Sequence, residues 1–169
     1  MYETGMNIVA LTDHGNMFGA IKFYQEAKGF VYKTPNEQIE YPIHPIIGCE
    51  VYVAPDEKTI KTDKSYYHMT LLACSEIGYK NLLKICSWGH LEGFYYKPKV
   101  SERVILEHKE GLIFLSGCLA GEIPQKIITG DPAKALERAA FFRDALGSEN
   151  YFLEIQHNGL EEQKLANKG

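Results

Sequence analysis

Short apolar runs rich in β-branched residues, separated by stretches of helical period, constrain this chain more than any other feature of its sequence. The runs are Asn7–Thr12, Pro45–Ala54, Tyr67–Cys74, Gly111–Ser116 and Asn150–Gln156. Between them, Met17, Ala20, Ile21 and Tyr24 recur at helical spacing up to Gly29, and Leu82, Leu83, Ile85 and Cys86 form one face of a segment from Gly78 to His90. Ala120 to Thr129 reads as a short helix whose Pro124 is tolerable only in the first turn. Asp131-Pro132 is an N-cap and N1 pair opening a helix to Leu146. Strand alternating with helix implies an α/β fold with mainly parallel pairing, as an open sheet or part of a barrel.

The connections are less regular. Residues 30–44 have mixed charge, two prolines and no period, and residues 55–65 are charged and lysine-rich; both read as exposed loops. Tyr95 to Val100 contains Lys97-Pro98-Lys99 and reads as an extended connector. Ser101 can cap a short helix running to His108. A chain of 169 residues is enough for one domain, so residues 1–169 are taken as a single unit. Gly5-Met6 reads as the end of a helix preceding the first run, and the helical pattern from Leu160 is interrupted at Gly169. A stretch of a larger protein is therefore expected.

Composition excludes several classes. No run of about 18 apolar residues exists, so no membrane span is expected. The first residues lack the basic and apolar regions of a signal peptide. The net charge is −4, against strong independent binding of duplex DNA. Cysteines stand at 49, 74, 86 and 118, with no Cys-x-x-Cys. Cys49, Cys74 and Cys86 lie in apolar runs and read as buried, reduced thiols of a cytoplasmic protein.

Candidate metal ligands lie at or near strand ends. His14 follows the first run, Glu50 lies inside the second, His68 opens the third and Cys118 follows the fourth. Sites of parallel α/β folds gather at the carboxyl ends of strands, which suits His14 and Cys118 but puts His68 at the wrong end of its run. Glu50 is a lone acid in an apolar strand and needs a metal, a cation or protonation if it is buried. Each residue also has an ordinary explanation: a turn histidine, a strand-end acid facing water, a core histidine, a small apolar thiol. His90 and His108 fall at helix carboxyl ends, where a partial positive charge is favourable by itself.

Taken in order, the motifs resemble a known family. Ala10-Leu-Thr-Asp-His-Gly-Asn-Met-Phe-Gly-Ala20, Pro45-Ile-Ile-Gly-Cys-Glu-Val-Tyr-Val-Ala54 and Tyr67-His-Met-Thr-Leu-Leu-Ala73 with Gly78-Tyr-Lys-Asn-Leu82 come first. Gly93-Phe-Tyr-Tyr-Lys-Pro-Lys99, Gly111-Leu-Ile-Phe-Leu-Ser-Gly-Cys-Leu119, Gly121-Glu-Ile-Pro124 and Tyr151-Phe-Leu-Glu-Ile-Gln156 follow. The series is similar to the polymerase and histidinol phosphatase (PHP) domain, in the form carried by the alpha subunit of bacterial DNA polymerase III.

The resemblance implies a distorted, seven-stranded, TIM-like β/α barrel, here partial and truncated at both ends, with a trinuclear metal site at one end. It implies that His14, Glu50, His68 and Cys118 are ligands, Glu50 being able to bridge two metals and to serve in catalysis. It implies that Asp13 orients the turn carrying His14. The family's first His-x-His and last Asp-x-His motifs fall outside this sequence. A divalent metal, Zn²⁺ or Mn²⁺, is thus expected in the intact domain and only partly or not at all in this stretch.

The expected function is that of a PHP domain supporting DNA replication in a replicative polymerase. Its phosphoesterase-type site would serve 3′→5′ proofreading or a structural role. The parent would be a DNA-directed DNA polymerase, a nucleotidyltransferase, and this stretch alone would have negligible activity. The alternatives are a stand-alone phosphoesterase of the histidinol phosphatase type and a catalytically dead scaffold docking the proofreading subunit. Implied partners are DNA through the parent, the proofreading exonuclease and the sliding clamp. A homo-oligomer through unpaired strand edges is also expected, with no membrane association and a cytoplasmic location.

Overall fold

A computed structural model describes residues 5–33, 38–40 and 42–169. Its framework is a mixed seven-stranded sheet with helices against it. The longest strand, β4 (His44–Val53), is the axis of the sheet. One edge of β4 is shared end to end by two strands. β1 (Ile8–His14) runs parallel to residues 44–50, and β7 (Lys97–Val100) runs parallel to Tyr52 and Val53. The other edge of β4 carries β5 (Tyr67–Ala73), which is antiparallel to it. The sheet continues through β8 (Leu112–Leu115), antiparallel to β5, to β9 (Tyr151–Phe152), parallel to β8.

The mainly parallel pairing expected from the alternation is therefore corrected: β5 is reversed relative to both neighbours. Residues 54–66 separate β4 from β5, with a 3₁₀ turn at Glu57–Thr59 and no α-helix among them. A parallel crossover is usually helical, whereas antiparallel neighbours need no helix between them. The reversal also removes the difficulty with His68. The start of β5 lies beside the carboxyl end of β4, with Tyr52 opposite His68.

Other boundaries move as well. Tyr95 to Val100 is no plain connector: β6 (Phe94–Tyr95) folds back on β7 as an antiparallel pair. Tyr96 between them holds φ 62, the one non-glycine positive φ among the described residues. The region 30–44 contains a second small sheet, β2 (Val31–Lys33) against β3 (Gln38–Glu40), and its residues 34–37 and 41 lie outside the described residues. The last strand is two residues rather than Asn150–Gln156. The 55–65 loop is largely exposed but buries Ile60.

The helices begin where their capping residues stand. Ser75 caps α2 (Glu76–Leu91), accepting from the Gly78 N–H at 3.0 Å. Ser101 caps α3 (Glu102–Glu107), accepting from the Val104 N–H at 3.4 Å. Asp131 caps α5 (Pro132–Leu146), accepting from the Lys134 N–H at 3.0 Å. α1 (Ala20–Lys28) and α4 (Glu122–Ile128) start after Gly19 and Gly121, and α6 is Glu161–Ala166. Pro124 falls in the first turn of α4, where a missing N–H is harmless. None of the described helices is long and apolar enough to cross a membrane.

Strand alternation divides the sheet into two faces with different chemistry. Cys49, Val51 and Val53 of β4 join Met69, Leu71, Val100, Leu112 and Phe114 in the core, under Leu82 and Ile85 of α2, Val104 and Ile105 of α3 and Phe142 of α5. The alternate residues Glu50 and Tyr52, with His14, His68 and Thr70 opposite them, line the other face. Cys49 and Cys86 are buried as expected, but Cys74 is exposed, its thiol donating to the Gly111 carbonyl at 3.0 Å. Cys74 falls one residue beyond β5, where the chain leaves the sheet for the α2 cap.

Candidate metal centre

His14 is the last residue of β1 and stands opposite Glu50 in the parallel register. The chain then turns sharply, and Gly15 permits the turn. Its φ is 66, and a Cβ there would lie 2.7 Å from the Tyr52 ring and 2.9 Å from Pro98. The Gly15 N–H donates to the Glu50 carbonyl at 2.9 Å, fastening the turn to β4. Asn16 closes it: its side-chain amide donates to the His14 carbonyl at 2.9 Å and its Oδ1 accepts from the Phe18 N–H at 3.0 Å. His90 of α2 contributes a further tie, since its Nε2–H donates to the Gly15 carbonyl at 2.9 Å.

A second turn brings Cys118 to the same place. Gly117 has φ 84, and a Cβ there would lie 2.7 Å from the His68 carbonyl oxygen. Only glycine lets the chain leaving β8 pass this close to the start of β5. The His68 N–H donates to the Ala120 carbonyl at 2.9 Å, completing the junction. Each candidate ligand on a turn is thus next to a glycine that the turn requires.

The side chains converge. His14 Nδ1 lies 3.0 Å from Glu50 Oε1, and His68 Nδ1 contacts the same oxygen. The two imidazole rings are 5.8 Å apart, and Cys118 Sγ is 3.5 Å from His68 Nδ1. The Glu50 and His68 side chains are 15% and 16% exposed, whereas that of His14 is 65% exposed. His14 therefore sits at the mouth of the cluster and the other two at its floor.

Glu50 Oε1 is buried, and its only neighbours of opposite character among the described residues are the two imidazoles that converge on it. Anionic oxygen, imidazole nitrogen and sulfur pointing at one small volume is a donor set that a divalent cation satisfies. His14, Glu50 and His68 each offer one ligand atom, all within 4.8 Å of one another. Cys118 lies just beyond this triad, against His68. The Glu50, His68 and Cys118 side chains are electrostatically coupled. The His68 ring, first of all, holds Glu50 below the usual carboxylate range, outweighing burial. Cys118 and then Glu50 beside its ring push His68 up to about 9, and the same ring lowers the Cys118 thiol.

Not every expected residue joins the cluster. Asp13 alternates to the opposite face of β1 from His14, in register with Cys49. Its Oδ2 lies where a Cβ on Gly19 would come within 2.9 Å, so it packs at the start of α1 rather than beside the triad. Conversely, three features escaped the sequence reading. His90 needs its hydrogen bond to Gly15, not only the helix terminus, to explain it. Tyr66 stacks on His68 with ring centres 5.7 Å apart, and Tyr52 meets the same ring edge-on at 5.4 Å. Lys99 is fully buried; its ammonium donates to the Asp63 carbonyl, and burial pushes its pKa down. Lys97 and Lys99 share one face of β7, with Lys99 opposite Tyr52, so nothing in the local pattern marks Lys99 as the buried one.

Comparison with known proteins gives a consistent result. The family model of the PHP domain matches residues 1–158. The DNA polymerase III subunit alpha of Treponema pallidum is 42% identical over 164 residues, 95% of this chain and 13% of that protein. The corresponding subunit of Borreliella burgdorferi is 41% identical over 170 residues, covering 98% of this chain and 14% of its own length. That of Deinococcus radiodurans is 41% identical over 166 residues, 94% of this chain and 12% of its own. The chain thus spans about one eighth of the length of these curated relatives, and the match is to their PHP region.

Proposed function

Because the chain belongs to the PHP domain family, we propose that it forms the metal-holding part of the PHP domain of a replicative DNA polymerase alpha subunit. The observation that carries this reading is the buried Glu50 Oε1 on which the Nδ1 atoms of His14 and His68 both converge. The names of the relatives favour the polymerase over a stand-alone phosphatase. The mixed sheet is compatible with part of a barrel whose inner face is the one carrying Glu50, with residues 1–169 as one unit.

A divalent ion, Zn²⁺ or Mn²⁺, bound there would supply Lewis acidity and an activated water for cleavage of a phosphoester. Glu50, His68 and His14 would hold it, with Cys118 as a further donor. Glu50 carries the negative charge of the triad on the rigid central strand. His14 faces solvent and marks the side from which substrate enters. Tyr52 and Tyr66 close the opposite side of His68 and exclude water there. On this reading the expected chemistry is phosphoester hydrolysis at a DNA end, and DNA and other replicase subunits, the proofreading exonuclease and the sliding clamp, are the partners implied.

Elemental analysis after dialysis against Zn²⁺ or Mn²⁺ tests it. About one ion retained per chain is expected, and His68→Ala is expected to lose it. A chain that retains none would overturn the metal reading and favour a scaffold. His90→Ala is expected to lower Zn²⁺ affinity about tenfold in a calorimetric titration, because groups that fix a ligand's orientation carry that much. Unchanged affinity would show that the Gly15–Glu50 hydrogen bond holds the turn unaided.

A further inference from the structure

We propose that the β6–β7 hairpin and the turn after β1 form a stacking platform for the bases of single-stranded DNA, leading a strand end to His14, Glu50 and His68. This rests on the phosphoester reading of that cluster and adds the surface that would present the substrate to it.

Aromatic rings lie open at this rim. Phe18 is 87% exposed, Tyr96 66% and Phe94 55%. Folding gains nothing from leaving such rings in water. Phe18 and Phe94 are also connected. His90 lies between Phe18 and Phe94, 6.3 Å from each by ring centres, and the same His90 holds the turn carrying His14. Phe94 stands opposite Pro98, and Pro98 packs against Gly15. The rings therefore approach the triad through direct contacts along one end of the sheet.

Positive charge accompanies the rings. Lys64 Nζ is 4.1 Å from the centre of the Tyr96 ring, and Lys97 Nζ is 5.3 Å from that of Tyr52. Tyr52 in turn touches His68. The acids of the adjacent 55–65 loop are engaged locally: Asp56 by the Lys58 N–H at 2.9 Å, Glu57 by Arg103 at 2.7 Å and Asp63 by the Ser65 N–H at 2.9 Å. Aromatic faces alternating with lysines are what a flexible single strand needs, since bases stack on the rings and phosphates meet the cations. A duplex hides its base faces and gains only the charge contacts. The strained Tyr96 backbone, φ 62, keeps that ring out of the sheet and beside Lys64. The net charge of −4 makes the binding weak and local rather than a property of the whole surface.

The test is fluorescence anisotropy of a labelled oligothymidylate of about 12 nucleotides, in EDTA so that no metal contributes. The chain is expected to bind it, and to bind a duplex of equal length more weakly. Phe18→Ala and Phe94→Ala are each expected to weaken binding about tenfold. With two lysines at the rim, affinity should fall roughly sevenfold between about 50 mM and about 200 mM salt, and Lys64→Gln should roughly halve that salt slope. Circular dichroism melts of the variants should match the parent, because the substituted residues are exposed. No single-strand binding, equal binding of duplex, or binding indifferent to all three substitutions would overturn the platform. Metal uptake by the Phe18→Ala chain separates the two readings. Retained metal with lost DNA binding supports the platform, and lost metal uptake in the parent chain overturns the metal reading while the EDTA measurement still decides the platform.

Discussion

Glu50→Gln is expected to abolish the rise in melting temperature that Zn²⁺ or Mn²⁺ gives the parent chain. The substitution keeps the shape of the side chain and removes the only anionic oxygen of the triad. The neutral amide is a poor ligand, and its N–H₂ would face two imidazole nitrogens. A metal present at about 100 times its dissociation constant stabilises a folded chain by about 2.7 kcal/mol, worth roughly 5–10 °C for a chain of this length. Without metal, the variant should melt below the parent as well, because it loses the pairing of the Glu50 carboxylate with His68; the metal-dependent rise is therefore read within each variant. The measurement is paired thermal melts with metal and with chelator. A full metal-dependent rise in Glu50→Gln would show that Glu50 is no ligand.

A larger loss of stability is expected from Phe114→Ala. Phe114 is fully buried on β8, between Leu71 of β5 and Tyr151 of β9 in the pairing register, and belongs to the core under α2 and α5. Removing a ring from such a position costs about 3–5 kcal/mol through lost burial and the cavity left behind. Total stability of a domain is about 5–15 kcal/mol, so this one substitution removes a large share of it. Leu136→Ala on α5 is the control. Leu136 is 73% exposed, and its loss should stay within about 0.5 kcal/mol. Urea titration of both variants reads the difference, and equal midpoints would show that the sheet is not held by this core.

Much of the fold was legible because apolar runs and caps act locally. Ser101, Asp131-Pro132 and Gly29 marked helix ends that the structure keeps; β5 and β8 lie inside the runs that announced them, while β1 runs on to His14 and β4 starts one residue early at His44. Strand direction was not legible. Nothing in Tyr67–Ala73 records whether it runs with or against β4; the one hint is that the charged, lysine-rich connection before it offers no helix for a parallel crossover. The same error made His68 look misplaced. Glu50 stood out because an acid in an apolar strand is rare for an energetic reason, and His14 and Cys118 because each follows an apolar run at the carboxyl end of a strand. His90 and Lys99 were missed because their roles depend on partners far away in sequence, Gly15 and Asp63. Asp13 was expected from the resemblance to orient the turn carrying His14; strand alternation places it on the face opposite His14, near Gly19 at the end of that turn.

β1 pairs with β4 alone among the described residues, yet it carries His14 at its tip. Glu50 and His68 belong to strands hydrogen-bonded on both sides over much of their length, so their amides should exchange with solvent only when most of the sheet opens. β1 can release by breaking a single ladder. The cluster is therefore no more durable than its outermost strand, and a cation gripped by His14 would act as a latch on that strand. Opening of β1 and departure of the ion would then be one event, governed by the local unfolding free energy of seven residues rather than by that of the whole molecule.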